Sequence, residues 1–187
     1  VATRGEPAYA DYYNAKENTF VKVPELSPKY IIEPVACGIN VVMQCIREIA
    51  ERSGPNRSLL ILGSGFLSWV AYNTIILNHI DFDTIDVLGS HNQDLWGDKL
   101  LFGTTQEYDV VIDLSSNYQA EEFVKDNGLI IQAASKQPGI NTTYEKLLWK
   151  AATVMFPSPR NPRFIDSMNL AVSWISKHYL KVDKFWT

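Results

Sequence analysis

The stretch Ser58-Leu59-Leu60-Ile61-Leu62-Gly63-Ser64-Gly65-Phe66-Leu67-Ser68 decides the fold. An apolar run that stops at glycine fits a strand buried on both faces, as in the middle of a parallel sheet. Gly63 permits a tight turn, and the following residues predict a helix over about 67–78. A strand, a glycine turn and a helix start, in that order, let backbone N–H groups and the positive end of a helix dipole receive a phosphate. Gly65 then lets the backbone come close to a pyrophosphate. Ser68, at the place of a third glycine, is still small enough for close helix–strand packing.

Downstream, 84–88 reads as a second strand closed by Gly89, and 108–114 as a third. A helix over 118–125 leads to Asn127-Gly128, a fourth strand over 129–134, a short helix over 144–149 and a fifth strand over 151–156. Phe164, Met168, Ala171, Val172, Ile175 and Tyr179 line one face of a last helix starting near Pro162. Between Ser90 and Thr105 only a short strand at Leu100-Leu101-Phe102 is readable. Upstream, Val35, Ile39, Val42, Met43, Ile46, Ile49 and Ala50 recur at helical spacing between Pro34 and Ser53-Gly54-Pro55-Asn56. Phe20-Val21-Lys22-Val23 alternates like a strand and stops at Pro24. Residues 1–30 read as a connector and 31–187 as the domain. Strands alternating with helices predict an α/β fold: a Rossmann-type parallel sheet with helices on both faces.

Composition excludes other classes. With 46% hydrophobic and 20% charged residues the chain is neither disordered nor fibrous, and its 187 residues suit one domain. A net charge of -4 without a basic cluster argues against nucleic acid as a partner. The five tryptophans are scattered and form no stacking platform for bases. The longest apolar candidate, 69–80, is interrupted by Asn73, Asn78 and His79, so no membrane span is expected. No signal peptide is recognised, and a start at Val1 suggests a piece of a longer protein or a processed product. Cys37 and Cys45 fall eight residues apart in one predicted helix, about 12 Å, too far for a disulfide. They read as reduced thiols of a cytoplasmic protein. No Cys/His cluster has metal-ligand spacing. Asp109 and Asp113 bracket the third strand as loop caps, His79 and His178 fall near helix ends, and Arg160 and Arg163 read as a solvated pair.

The second strand carries the cofactor information. A fold of this kind that prefers NAD places an acid after that strand, about 20 residues past the glycines, for the ribose hydroxyls. Here the chain runs Val87-Leu88-Gly89-Ser90-His91-Asn92, and Asp86 sits inside the strand. Gly89, Ser90 and His91 leave room for a 2′-phosphate and can donate to it, which favours NADP over NAD.

Three stretches together resemble the medium-chain, zinc-type alcohol dehydrogenases, especially their polyol and sugar dehydrogenase branch. The first runs Ala8-Tyr9-Ala10-Asp11-Tyr12 through Phe20-Val21-Lys22-Val23-Pro24. The second is Glu33-Pro34-Val35-Ala36-Cys37 with its amphipathic helix. The third is the glycine turn, followed by Asp109-Val110-Val111-Ile112-Asp113 and Asn127-Gly128-Leu129-Ile130-Ile131. The resemblance covers residues from about 4 to 186. It implies a six-stranded nucleotide-binding domain joined, in the full-length protein, to a catalytic domain that carries zinc and the proton relay. It also implies that Gly63, Ser64, Gly65, Phe66 and Leu67 hold the pyrophosphate. Gly89, Ser90 and His91 would face the adenosine ribose or its phosphate, and Ser115 would lie beside the adenosine. Glu33 corresponds to a residue near the catalytic zinc in the polyol branch. Ser68, Ser115-Ser116 and Ala133-Ala134 depart from the family pattern, the last near the nicotinamide.

The expected function is the cofactor-binding part of an NAD(P)-dependent alcohol or polyol dehydrogenase. Its partners are a nicotinamide dinucleotide and, in the full-length protein, a small alcohol or carbonyl substrate; a homo-oligomer is compatible with it. No catalytic or metal-ligating residue is assigned within the chain. The alternative is a dehydrogenase-derived module that has lost catalysis and serves as an interaction or regulatory domain. A methyltransferase of the same fold is a third reading, against which the Glu33-Pro34 helix speaks.

Overall fold

The computed structural model describes residues 2–3, 14, 16 and 19–185. Tyr9, Tyr12, Tyr13 and Trp186, part of the resemblance drawn above, lie outside the described residues. Near the start, β1 (Ala2–Thr3) pairs antiparallel with β2 (Phe20–Val21), so the strand expected over 20–23 is present in shortened form.

The remaining strands form one parallel sheet: β3 (Gly54–Leu62), β4 (Phe82–Leu88), β5 (Leu100–Leu101), β6 (Tyr108–Asp113), β7 (Val124–Gln132) and β8 (Thr153–Met155). Their order across the sheet is β5-β4-β3-β6-β7-β8. The first of the six therefore sits in the middle. The chain builds outward to one side, then crosses back to start the other half at β6. That reversal leaves a crevice at the carboxyl ends of β3 and β6, where open α/β sheets bind ligands.

The apolar run of β3 explains its central place. Leu59 and Ile61 point into one core, Leu60 and Leu62 into the other, and all four are fully buried. The same division recurs on β6, with Val110 and Ile112 against Val111, and on β7, with Leu129 and Ile131 against Ile130. The two faces are covered unequally. The long helices α1 (Ile32–Met43), α3 (Phe66–Leu77) and α6 (Phe164–Ser176) pack over the first core. The second is covered by Tyr118, Ala120, Phe123 and Leu147, the last from the short helix α5 (Tyr144–Trp149).

Two predicted elements are corrected. The helix expected to run on to Ala50 breaks at Gln44 and Cys45, and α2 (Ile46–Ala50) resumes beyond them. Gln44 keeps helical dihedrals and its N–H bond to the Asn40 carbonyl, and the backbone departs at Cys45, φ -116 and ψ 11. Beside the break the Gln44 side chain donates to the Ser158 carbonyl at 2.7 Å and accepts from Asn161 at 3.1 Å. Cys45 thus sits in the break rather than in one helix with Cys37; both thiols are free. The helix expected over 118–125 is only a 3-10 turn at Ala120–Glu122. Sheet pairing overrides helix propensity there. Tyr108 N–H donates to the Phe123 carbonyl at 2.7 Å, Val124 pairs with Tyr108, and the buried Glu121 carboxylate accepts the Thr143 N–H at 2.5 Å. The unreadable stretch after β4 contains α4 (Gln93–Trp96), a 3-10 turn and β5.

Candidate dinucleotide site at the sheet crevice

All the residues expected to meet a cofactor lie at the carboxyl ends of three neighbouring strands, β4, β3 and β6. Gly63, Ser64, Gly65, Phe66 and Leu67 form the β3–α3 turn. Gly89, Ser90 and His91 follow β4, and Ser115 follows β6.

Gly63 has φ +101, a conformation side chains rarely adopt, so the turn needs glycine there. Its N–H donates to the Leu88 carbonyl at 2.8 Å, while Leu114 N–H donates to the Leu62 carbonyl at 3.0 Å. The turn is thereby tied to both neighbours. Gly65 differs in kind. Its backbone is extended, φ -86 and ψ -171, and a Cβ built there would meet nothing within 4 Å. Nothing within the described chain requires glycine at this point. The space in front of it is open, at the start of a helix with no side-chain cap and no acidic residue in its first turn. The leading N–H groups of a helix have no intrahelical acceptors and carry a partial positive charge. A backbone stripped of its Cβ beside such a helix start fits a phosphate group in close approach.

Ser64 is the hub of the turn. Its carbonyl accepts from Asn92 Nδ2 at 2.8 Å and Trp96 Nε1 at 3.0 Å, and its hydroxyl oxygen accepts the His91 backbone N–H at 3.1 Å. The loop after β4 is therefore fastened onto the glycine turn. Asn92, in a left-handed conformation, is committed to this contact. Ser90 and His91 are exposed, with Oγ and Nδ1 2.9 Å apart. Asp86, inside β4, accepts the Tyr108 hydroxyl at 2.8 Å. Phe66 packs edge-on against Phe185 at 5.0 Å and alongside Trp69, while Leu67 is exposed. Ser68 is buried, its hydroxyl 3.4 Å from where a Cβ on Gly63 would stand, as its place in the glycine pattern suggested.

Across the crevice, Asp113 is fully buried at the end of β6. Its carboxylate accepts the Ser115 N–H at 3.1 Å and a close contact from Lys136. Burial pushes the Asp113 carboxyl above its usual range, with Lys136 opposing. The Ser115 hydroxyl accepts the Asn117 N–H at 3.2 Å. Lys136, Trp96 and the role of Asn92 as a tie are the features sequence reasoning missed. No periodicity marks them, and their partners are 18 to 32 residues away.

Asp109 lies near the amino end of β6, at the other end of the strand from the crevice. It accepts from Arg57 and Lys125, each at 2.7 Å, and from Ser58 N–H at 2.9 Å and Ser58 Oγ at 3.0 Å. Burial works against its charge, but Lys125, Arg57 and Ser58 together hold its carboxyl well below the usual carboxylate range. Glu33 is exposed in the first turn of α1 and accepts the Cys37 thiol at 3.2 Å. Burial, with Glu33 beside it, pushes that thiol up to about 12. Among the described residues no group of three or more His, Cys, Asp or Glu could hold a metal ion, and no helix is long and apolar enough to cross a membrane.

No protein-family model and no curated protein sequence matches the chain. Solved structures do match its fold. A short chain alcohol dehydrogenase (rspB) from E. coli CFT073, complexed with NADH, shares 14% identity over 91% of this chain and 54% of its own, with a TM-score of 0.66. Glucose dehydrogenase from Haloferax mediterranei shares 10% identity over 89% and 55%, with a TM-score of 0.67. A putative zinc-binding dehydrogenase from Sinorhizobium meliloti 1021, bound to NADP, shares 15% over 88% and 53%, with a TM-score of 0.60. The chain spans about half the length of each.

Proposed function

We propose that this chain is the nicotinamide-dinucleotide-binding part of an NAD(P)-dependent alcohol or polyol dehydrogenase. The observation that carries the reading is the bare backbone at Gly65. It faces open space at the start of α3, at the point where the sheet order reverses. The fold shared with dehydrogenases complexed with NADH or NADP supports it. The 63–65 turn and the N-terminus of α3 would hold the pyrophosphate. The loop after β4 would take the adenosine ribose, with Ser115 beside the adenosine. The bound cofactor supplies hydride chemistry; the residues of this chain bind it, orient it and keep it in the crevice. Zinc ligands, the proton relay and the alcohol or carbonyl substrate site belong to a catalytic domain outside residues 31–187, with residues 1–30 as the connector. NADP is the preferred cofactor and the cytoplasm the expected location.

Calorimetric titration with NADH and NADPH tests the reading. Saturable binding of either supports it, and no binding of either at millimolar concentration overturns it. The alternative is then a dehydrogenase-derived interaction module, which the exposed Tyr144, Leu148 and Trp149 on α5 favour.

A further inference from the structure

Lys136 follows the end of β7, yet its ammonium group reaches back beneath the loop that follows β6. It donates to the Asp113 carboxylate, to the Ser115 carbonyl at 3.1 Å and to the Tyr118 carbonyl at 2.6 Å. An ammonium has three N–H donors, and here three acceptors of the chain take them. The side chain is 14% exposed and that of Asp113 not at all. Around this centre the two loops join along their length. Ala133 and Ala134 N–H both donate to the Asp113 carbonyl, at 2.9 and 3.1 Å, and Gln137 N–H donates to the Ser116 carbonyl at 3.1 Å.

We infer that Lys136 is a positioning residue for the second half of the dinucleotide, the half that lies over β6 and β7. The inference rests on the dinucleotide reading above. A sheet of this order binds one mononucleotide on each side of its switch point, with the adenosine ribose at the end of β4. The ribose end of the adenosine side is held by the contacts of Ser64 with His91, Asn92 and Trp96, which do not involve Lys136; on that side Lys136 bonds only the Ser115 carbonyl. On the far side, the loop after β7 takes its position from the lysine. With all three donors used inside the chain, Lys136 acts through loop position rather than by touching the ligand. Its charge is met by Asp113, so the floor it builds is neutral, which suits an uncharged ring better than a phosphate. A loop fixed before binding spares the complex the cost of ordering it.

The experiment compares NADH with ADP, which fills the adenosine side alone, by calorimetry on the wild type, Lys136→Met and the double variant Asp113→Asn/Lys136→Met. The single variant leaves a buried carboxylate unpaired and can unfold, as circular dichroism will show. The double variant removes both charges, a replacement buried pairs often tolerate, and decides the matter in that case. Expected in each folded variant is a loss of NADH affinity of about tenfold, well beyond any loss of ADP affinity through the Ser115 contacts. NADH held as tightly as by the wild type, or ADP affinity falling in step with NADH, overturns the inference. So does a wild type that binds NADH no more tightly than ADP. A wild type that binds neither overturns the dinucleotide reading and the inference with it.

Discussion

A Cβ on Gly89 would stand 2.4 Å from the Ser64 hydroxyl oxygen and 2.9 Å from the Ser64 backbone nitrogen. The loop after β4 and the glycine turn are thus in contact at a distance that only a residue without a side chain permits. Gly89→Ala should destabilise the fold by about 1–3 kcal/mol, the usual range for overpacking, and lower the urea midpoint. Ser64→Gly in the same chain should recover only part of the loss, because the backbone nitrogen remains in the way. Full recovery would show that the hydroxymethyl group alone sets the spacing.

Gly65→Val makes the opposite case. The backbone there is extended and no described atom lies within 4 Å of the added Cβ. The variant should keep its circular dichroism spectrum and thermal midpoint while losing NADH binding, since a branched side chain would fill the place of the pyrophosphate. Unchanged affinity would remove the turn from the site.

Cofactor choice should be modest. The sequence offers Ser90, His91 and Asn92 as donors to a 2′-phosphate, but the Asn92 amide is already spent on Ser64. That leaves Ser90 and His91, and one charge-assisted hydrogen bond contributes about 1.5–3 kcal/mol. NADPH should bind roughly ten- to a hundredfold more tightly than NADH, and His91→Ala should narrow the ratio. A ratio in favour of NADH would contradict the reading of this loop.

Asp109 sets a pH dependence away from the crevice. Its carboxyl is held below the unfolded value of about 3.9. The resulting stability is therefore complete above that value and is lost as pH falls through it towards the lower folded value. Asp109→Asn should be less stable than the wild type at pH 7. It should lose less on going from pH 5 to pH 2, as read from urea midpoints at each pH.

Cys37 should resist alkylation. Raising its thiol from 9.0 to about 12 leaves roughly a thousandfold less thiolate at pH 8. Cys45, also raised to about 12, is buried. Iodoacetamide should label both rapidly in urea and neither at a comparable rate in the native protein. Folding stability should fall as pH rises past 9, where the unfolded thiols ionise.

The sheet and its glycine turn were legible because the central strands β3, β6 and β7 bury both faces and so carry apolar runs that end at glycine or a polar loop. The site's outline followed, since sheet order brings the ends of β3, β4 and β6 together. Contacts made by side chains from elsewhere were not legible. Gln44, beside the helix break at Cys45, bonds Ser158 and Asn161, and Glu121 and Phe123 give up a helix to partners at Thr143 and Tyr108. Lys136 sits in an irregular loop, where no period reports burial.

The place of β3 in the middle of the sheet has a consequence for synthesis. Once β4 has emerged from the ribosome it can close one edge of β3, but the partner for the other edge, β6, starts only at Tyr108. Until then the half-made chain carries Leu59, Leu60, Ile61 and Leu62 on an open strand edge, free to pair with another nascent chain. Translation speed across the segment between β4 and β6 should therefore govern how much of the protein escapes aggregation in the cell.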